Sequence, residues 1–144
     1  MAYPEYFIAP MRAELTQHGV EEARTAEDVD RMLSPDSGTV MMVVTSVCGC
    51  AAGKARPGIV DSLQHGTKPD RVATVFAGGD IEATARVREI LSDYPPSSPS
   101  VAIFQDGKPV YMMPRIQIEG SQAMEISQTL RSAYDEHCAK VDAD

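Results

Sequence analysis

The sequence predicts an α/β protein built on a mixed sheet of about four strands with helices packed against it, and three observations carry that prediction. Thr39 to Val44 places β-branched and apolar residues on successive positions, as in a parallel-sheet strand buried on both faces. Arg71 to Ala77 (RVATVFA) has the same character, and helix-favouring residues separate the two runs, so together they read as a β-α-β unit. Val101 to Phe104 and Pro109 to Met113 flank the turn Gln105-Asp106-Gly107-Lys108, a hairpin that adds two antiparallel strands.

An N-terminal helical extension comes first in the chain. Phe7, Ile8, Met11 and Leu15 recur at three and four, marking one face of a helix between Pro4 and Gly19, and Gly19 is its natural stop. Thr25 ahead of Ala26-Glu27-Asp28 is a capping pattern, and Val29, Met32 and Leu33 form the buried stripe of a short second helix that Pro35 to Gly38 break. Beyond the first strand, the helix from Ala51 meets Pro57, whose missing donor and bulky ring call for a kink or a restart; Ile59, Val60 and Leu63 continue its apolar side. Gly78-Gly79 ends the second strand, and Asp80 caps a helix on which Ile81, Ala85, Val87, Ile90 and Leu91 share a broad face. Pro95, Pro96 and Pro99 then enforce an extended loop before the hairpin. A last helix begins near Ser121, presents Met124, Ile126, Leu130, Ala133 and Tyr134, and reaches His137 and Cys138.

The 144 residues suffice for one domain with a full core, assigned to 1–138, with 139–144 as a frayed tail. With 21 acidic and 13 basic side chains the net charge is −8, and no run of Lys or Arg forms a basic stripe. Nucleic acid and anionic membrane are therefore not expected partners, and the acidity reads as solubility. An odd count of three cysteines does not make a secreted disulfide framework. MAYPEYFIAPMRAEL lacks the pattern of a signal peptide, and no segment approaches a membrane span, so a cytoplasmic setting is expected.

The chemistry is expected where the first strand becomes a helix, at Cys48 and Cys50. Residues two apart point in nearly opposite directions on a helix, so the sulfurs meet only if Cys48 precedes the first turn, with Gly49 permitting the bend. A thiol there faces unsatisfied backbone N–H groups and the positive end of the helix dipole, which favour thiolate. Three uses of the pair stay open at this point: redox exchange, a structural staple, or a soft-metal site with a third ligand. The staple is weak, because closing a three-residue loop is worth only about 1.6 kcal/mol by the loop-length relation, with strained geometry.

A strand ending in Cys-Gly at a helix start, a second β-α unit, and a proline before a hairpin and closing helix together resemble the thioredoxin fold. That likeness implies a three-layer α/β/α arrangement in which Pro99 is cis and lies against the cysteines, with Ser98 offering backbone groups to a bound disulfide. More narrowly, SVCGCAAGKARPG with TVFAGGDIEATARVREIL, PPSSPSVAIFQDGKPVY, PRIQIEG and a terminal His-Cys resembles the bacilliredoxin family from about Pro10 to Cys138. This resemblance implies a thiol–disulfide oxidoreductase that removes bacillithiol, a small thiol, from mixed disulfides on client proteins. By the same resemblance Cys48 is the attacking thiolate and Cys50 the second thiol, and Gly49, Ser98 and Pro99 contact substrate. Bacillithiol is then the co-substrate, no cofactor is tightly bound, and a separate thiol or flavoprotein reductase recycles the protein. Cys138, at the position of the family's C-terminal cysteine, is a possible accessory thiol.

Other residues are expected to be bland. His18, His65 and His137 fall at helix ends, Lys54 and Arg56 read as an exposed face, and no metal ligand set is expected from the histidines. Met41, Met42, Met112 and Met113 suit an adaptable core. Gly78-Gly79 lacks the spacing of a dinucleotide fingerprint, so electrons must come from elsewhere. The rival functions are general disulfide isomerisation or reduction, soft-metal delivery through Cys48 and Cys50, and a thioredoxin-like adaptor.

Overall fold

A computed structural model describes residues 2–138; the tail assigned to 139–144 lies outside the described residues. The N-terminal extension is α1 (Glu5–Thr16), a two-residue strand β1 (Glu21–Glu22) and α2 (Ala26–Met32). The first β-α-β unit follows as β2 (Thr39–Thr45), a π-helical turn (Ala51–Ala55), α3 (Arg56–Ser62) and β3 (Arg71–Phe76). Then come α4 (Ile81–Ile90), the hairpin β4 (Ser100–Gln105) and β5 (Lys108–Met113), a short α5 (Arg115–Glu119) and the closing α6 (Ala123–His137).

The strands form one sheet in the order β1-β3-β2-β4-β5. β1 and β2 run parallel to β3, whereas β4 is antiparallel to β2 and β5 to β4. The sheet has five strands rather than about four, because Glu21 and Glu22 pair with Ala73 and Thr74 at the edge. Two acidic residues carry no apolar period, so their strand is made by backbone pairing alone.

All of β2 is buried, which is the physical consequence of helices on both faces. Met41 and Val43 point to one side with Leu15, Ile59, Ile103, Leu130 and Tyr134. Val40, Met42 and Val44 point to the other with Val29, Met32, Val75, Val87 and Phe104. Each such side chain contributes on the order of 1.5–3 kcal/mol on burial. Helices α3 and α6 approach closely at Gly58, where a Cβ would stand 2.7 Å from the Ala123 carbonyl oxygen and 2.9 Å from Ile126.

Several expectations change in detail. The stretch Arg115–Glu119 is helical, an element too short for its sequence pattern to announce. The break near Pro57 is a restart: the chain winds as a π turn through Ala51–Ala55, and α3 begins with Pro57 in its first turn, where no donor is needed. Asp80 precedes α4 without capping it by its side chain. Its carboxylate instead accepts from Arg12 at 2.9 and 2.8 Å and from the Phe76 N–H at 3.0 Å, so charge pairing outweighs capping. Met124, Ile81 and Phe7 lie exposed on their helices, because the buried stripes are narrower than their apolar periods suggest. Arg56 does not face solvent: it is one of the largest fully buried side chains.

Candidate active site

The cysteine loop follows from the end of β2. Thr45 closes the strand, Ser46 and Val47 turn, and the Cys48 carbonyl accepts from the N–H groups of Ala51 (3.1 Å) and Ala52 (3.2 Å). Cys48 thus stands just ahead of the helix it opens. From there its Sγ lies 2.9 Å from Cys50 Sγ, both cysteines being free, and Ser46 Oγ donates to it at 3.4 Å. Gly49 is exposed, lies outside the left-handed region, and would meet nothing within 4 Å if it carried a Cβ. The bend therefore does not need glycine's conformational freedom; the missing side chain leaves open surface beside the sulfurs.

These surroundings split the two thiols electrically. Partial burial opposes ionisation of Cys48, but the Cys50 S–H, the Ser46 hydroxyl and the Ala51 and Cys50 N–H groups outweigh it and bring its pKa down from 9.0 to about 7. Cys50 moves the opposite way, raised by burial first, then by its bond to Cys48 and the Cys48 charge. One proton is therefore held between two sulfurs, with Cys48 as the anion and Cys50 as the donor.

Arg56 holds the loop from below. Its Nη1 donates to Thr45 Oγ1 at 2.9 Å and to the Ser46 carbonyl at 2.8 Å, while Nε pairs with Glu14 at 2.8 Å. A buried guanidinium with these partners fixes the turn that delivers Cys48.

The second wall comes from the loop before β4. Ser100 pairs with Val44, so Pro99 lies at the same sheet end as Thr45 and the cysteine loop, and the Ser98–Pro99 bond is cis, as the resemblance implies. Arg115 joins this loop to the site. Its N–H donates to Ser97 Oγ at 3.2 Å, its Nη1 to the Ser98 carbonyl at 3.1 Å and its Nε to Glu119 at 2.7 Å. Its charge draws Cys50 downward, and Arg115 in turn is held charged first by Glu119 and then by Cys50 and Cys48. Sequence reasoning passed over Arg115; its place in PRIQIEG, within the stretch that carries the family likeness, was the available signal. Beside it, Tyr94, Pro96, Met112, Pro114 and Ile116 line an open apolar hollow of about 440 Å³.

Cys138 is not brought to this site. It is buried against Thr39, at the opposite end of β2, about 20 Å from the cysteine loop at 3.3 Å per residue. Burial first, then Asp70 and Asp135, pushes its thiol up from 9.0 to about 11, although a Thr39 hydrogen bond works against the rise. Among the described residues, no group of three or more His, Cys, Asp and Glu could hold a metal ion, and no helix is long and apolar enough to cross a membrane.

Comparison with known proteins gives this geometry its setting. Residues 3–138 match the family model described as disulphide isomerase. A bacilliredoxin of Koribacter versatilis is 52% identical over 136 residues, covering 94% of each chain. One from Shouchella clausii is 49% identical over 143 residues, covering 97% of this chain and 99% of that one. Among solved structures, oxidised thioredoxin from Plasmodium falciparum aligns with a TM-score of 0.57 at 15% identity, covering 84% of this chain and 100% of that chain. Thioredoxin from Malassezia sympodialis aligns with a TM-score of 0.55 at 14% identity, covering 83% and 90%. At such identities the structural likeness establishes the fold, while the sequence relatives establish the family. The chain is a thiol–disulfide oxidoreductase of thioredoxin fold and belongs to the disulphide isomerase family that includes the bacilliredoxins.

Proposed function

We propose that this protein removes bacillithiol from mixed disulfides on client proteins, with Cys48 as nucleophile. The observation that carries the reading is the Cys48 sulfur at a helix start, 2.9 Å from the Cys50 thiol and brought to a pKa of about 7. A lowered pKa makes thiolate available near neutral pH, and thiolate is the attacking species. Its attack on the small-thiol sulfur breaks the client's mixed disulfide, leaves the client cysteine as a thiolate that takes up a proton, and forms a Cys48–bacillithiol disulfide.

Forming that adduct removes the Cys48 charge, and with it two of the influences that keep Cys50 protonated. Cys50 then loses its proton, attacks Cys48 Sγ and expels bacillithiol, leaving a Cys48–Cys50 disulfide. A separate thiol or flavoprotein reductase supplies the two electrons that reopen it. Gly49, Ser98 and Pro99 form the surface against which the incoming disulfide lies. Cys138 has no step in this cycle within one molecule, in keeping with its place at the far end of β2. A cytoplasmic setting, where such mixed disulfides are reversed, belongs to the same reading.

General disulfide isomerisation is the second reading, favoured by the description of the matched family model. Intact-mass analysis of reduced protein mixed with a bacillithiolated client separates the two. The expected result is one bacillithiol trapped on Cys50→Ala, none on Cys48→Ala, and a client released only where Cys48 is present. Reshuffling of ordinary protein disulfides with the bacillithiolated client left untouched would replace transfer by isomerisation.

A further inference from the structure

The proposed transfer leaves open what the site grips on the small thiol besides its sulfur. Arg115 is placed to do so. Its Nη1 is tied to the carbonyl of Ser98, the residue before Pro99, and its Nε to Glu119, which orients the guanidinium at the mouth of the site. Among the described residues Nη2 makes no hydrogen bond, and the side chain keeps 42% of its exposure. Lys54, from the π turn that follows the cysteines, reaches the same place and donates to the Glu119 carbonyl at 2.7 Å. Two cations therefore converge on Glu119, Arg115 on its carboxylate and Lys54 on its backbone carbonyl, in a chain whose net charge is −8. Helix α5, which begins with Arg115, packs against the π turn that follows the cysteines, and Arg115 and the two thiols influence one another's charge.

We infer that Arg115 is a specificity-determining residue that binds a carboxylate on the small thiol, selecting anionic thiols over neutral ones while the sulfur is transferred to Cys48. The inference rests on the reading of Cys48 as acceptor of a small thiol. Arginine suits the task because its fork keeps donors free after two are spent on anchoring, whereas a lysine presents a single point charge. In the exchange itself one disulfide breaks and one forms. Arg115 neither gains nor loses a proton, and acts by holding the carboxylate as the client sulfur departs.

The test compares two mixed disulfides of one client peptide, with mercaptosuccinate and with its dimethyl ester, in wild type, Arg115→Gln and Arg115→Lys. Rates of small-thiol arrival on Cys48 are read by quenched intact mass. Any change in Cys48 ionisation slows both probes alike and cancels in the ratio of their rates. The expected result is a loss in Arg115→Gln about fivefold larger for mercaptosuccinate than for the ester, partly restored by Arg115→Lys and narrowed by added salt. Equal losses for both probes, or no loss, would overturn the assignment. A selective loss, in a protein that leaves a bacillithiolated client untouched, would keep Arg115 as an anion-binding residue and remove bacillithiol as the substrate. Failure of wild type to accept either probe would remove both readings.

Discussion

The two ends of strand β2 hold cysteines with opposite chemistry. Cys48 lies half-buried beyond its carboxyl end, where a starting helix, a hydroxyl and a second thiol donate to its sulfur and bring it down to about 7. Cys138 packs against Thr39 at the amino end, 5% exposed, where burial pushes the thiol up to about 11. The strand and the residue type are shared, so the difference comes from burial and from the donors around each sulfur. Backbone N–H groups of Cys50 and Ala51 donate toward the Cys48 sulfur where the helix after β2 begins, whereas α6 has finished when it reaches Cys138.

The largest effect that separates the two ends is loss of exchange. Cys48→Ser is expected to slow small-thiol transfer by roughly a thousandfold or more, whereas Cys138→Ala leaves the rate within about twofold and costs on the order of 1 kcal/mol of stability in urea unfolding. A comparable loss of transfer in Cys138→Ala would break the comparison.

Arg56 tests whether the reactive end depends on its buried support. Arg56→Ala leaves Glu14, Thr45 Oγ1 and the Ser46 carbonyl without their donor, and is expected to cost about 3 kcal/mol in denaturant unfolding. The loop that presents Cys48 loosens with it, so the transfer rate falls as well. Unaltered stability would mean that the guanidinium is not the support of this turn.

Stability against pH sharpens the contrast because the two cysteines have opposite linkage. From about pH 7 to 9 the unfolded chain keeps the Cys48 proton that the folded chain has lost, so the Cys48 contribution grows as pH rises, is complete above 9.0, and disappears as pH falls through about 7. From 9.0 to about 11 the folded chain keeps the Cys138 proton that the unfolded chain has lost, and stability falls. Each is expected to be on the order of 1–2 kcal/mol after solvent screening, read as the difference between wild type and the matching Cys→Ala variant in urea at successive pH values. The smallest effect belongs to Cys50. Cys50→Ala removes one donor to Cys48 and moves its titration upward by roughly half a pH unit, measurable by thiolate absorbance.

Local physics made much of this readable from sequence. Consecutive β-branched residues from Thr39 mark a doubly buried strand, and the loop after it must carry Cys48 ahead of the helix if the sulfurs are to meet. What stayed hidden depends on partners distant in sequence. Arg56 looked like a surface cation because nothing near it announces Glu14, 42 residues earlier, as its buried partner. Arg115 is likewise legible only when Ser98 and Glu119 are brought around it by a five-residue helix too short for an apolar period. The edge strand at Glu21–Glu22 shows the same principle, since pairing with Ala73 and Thr74 needs no side-chain pattern.

Residue-resolved alkylation across pH tests the central claim most directly, with iodoacetamide added to the reduced native protein and each cysteine followed by peptide mass. Cys48 labelling is expected to rise to a plateau with a midpoint near pH 7, while Cys138 stays unlabelled through neutral pH. A Cys48 midpoint at 9.0 or above, or Cys138 labelled alongside it at neutral pH, would contradict the assignment of reactivity to the helix start at the end of β2.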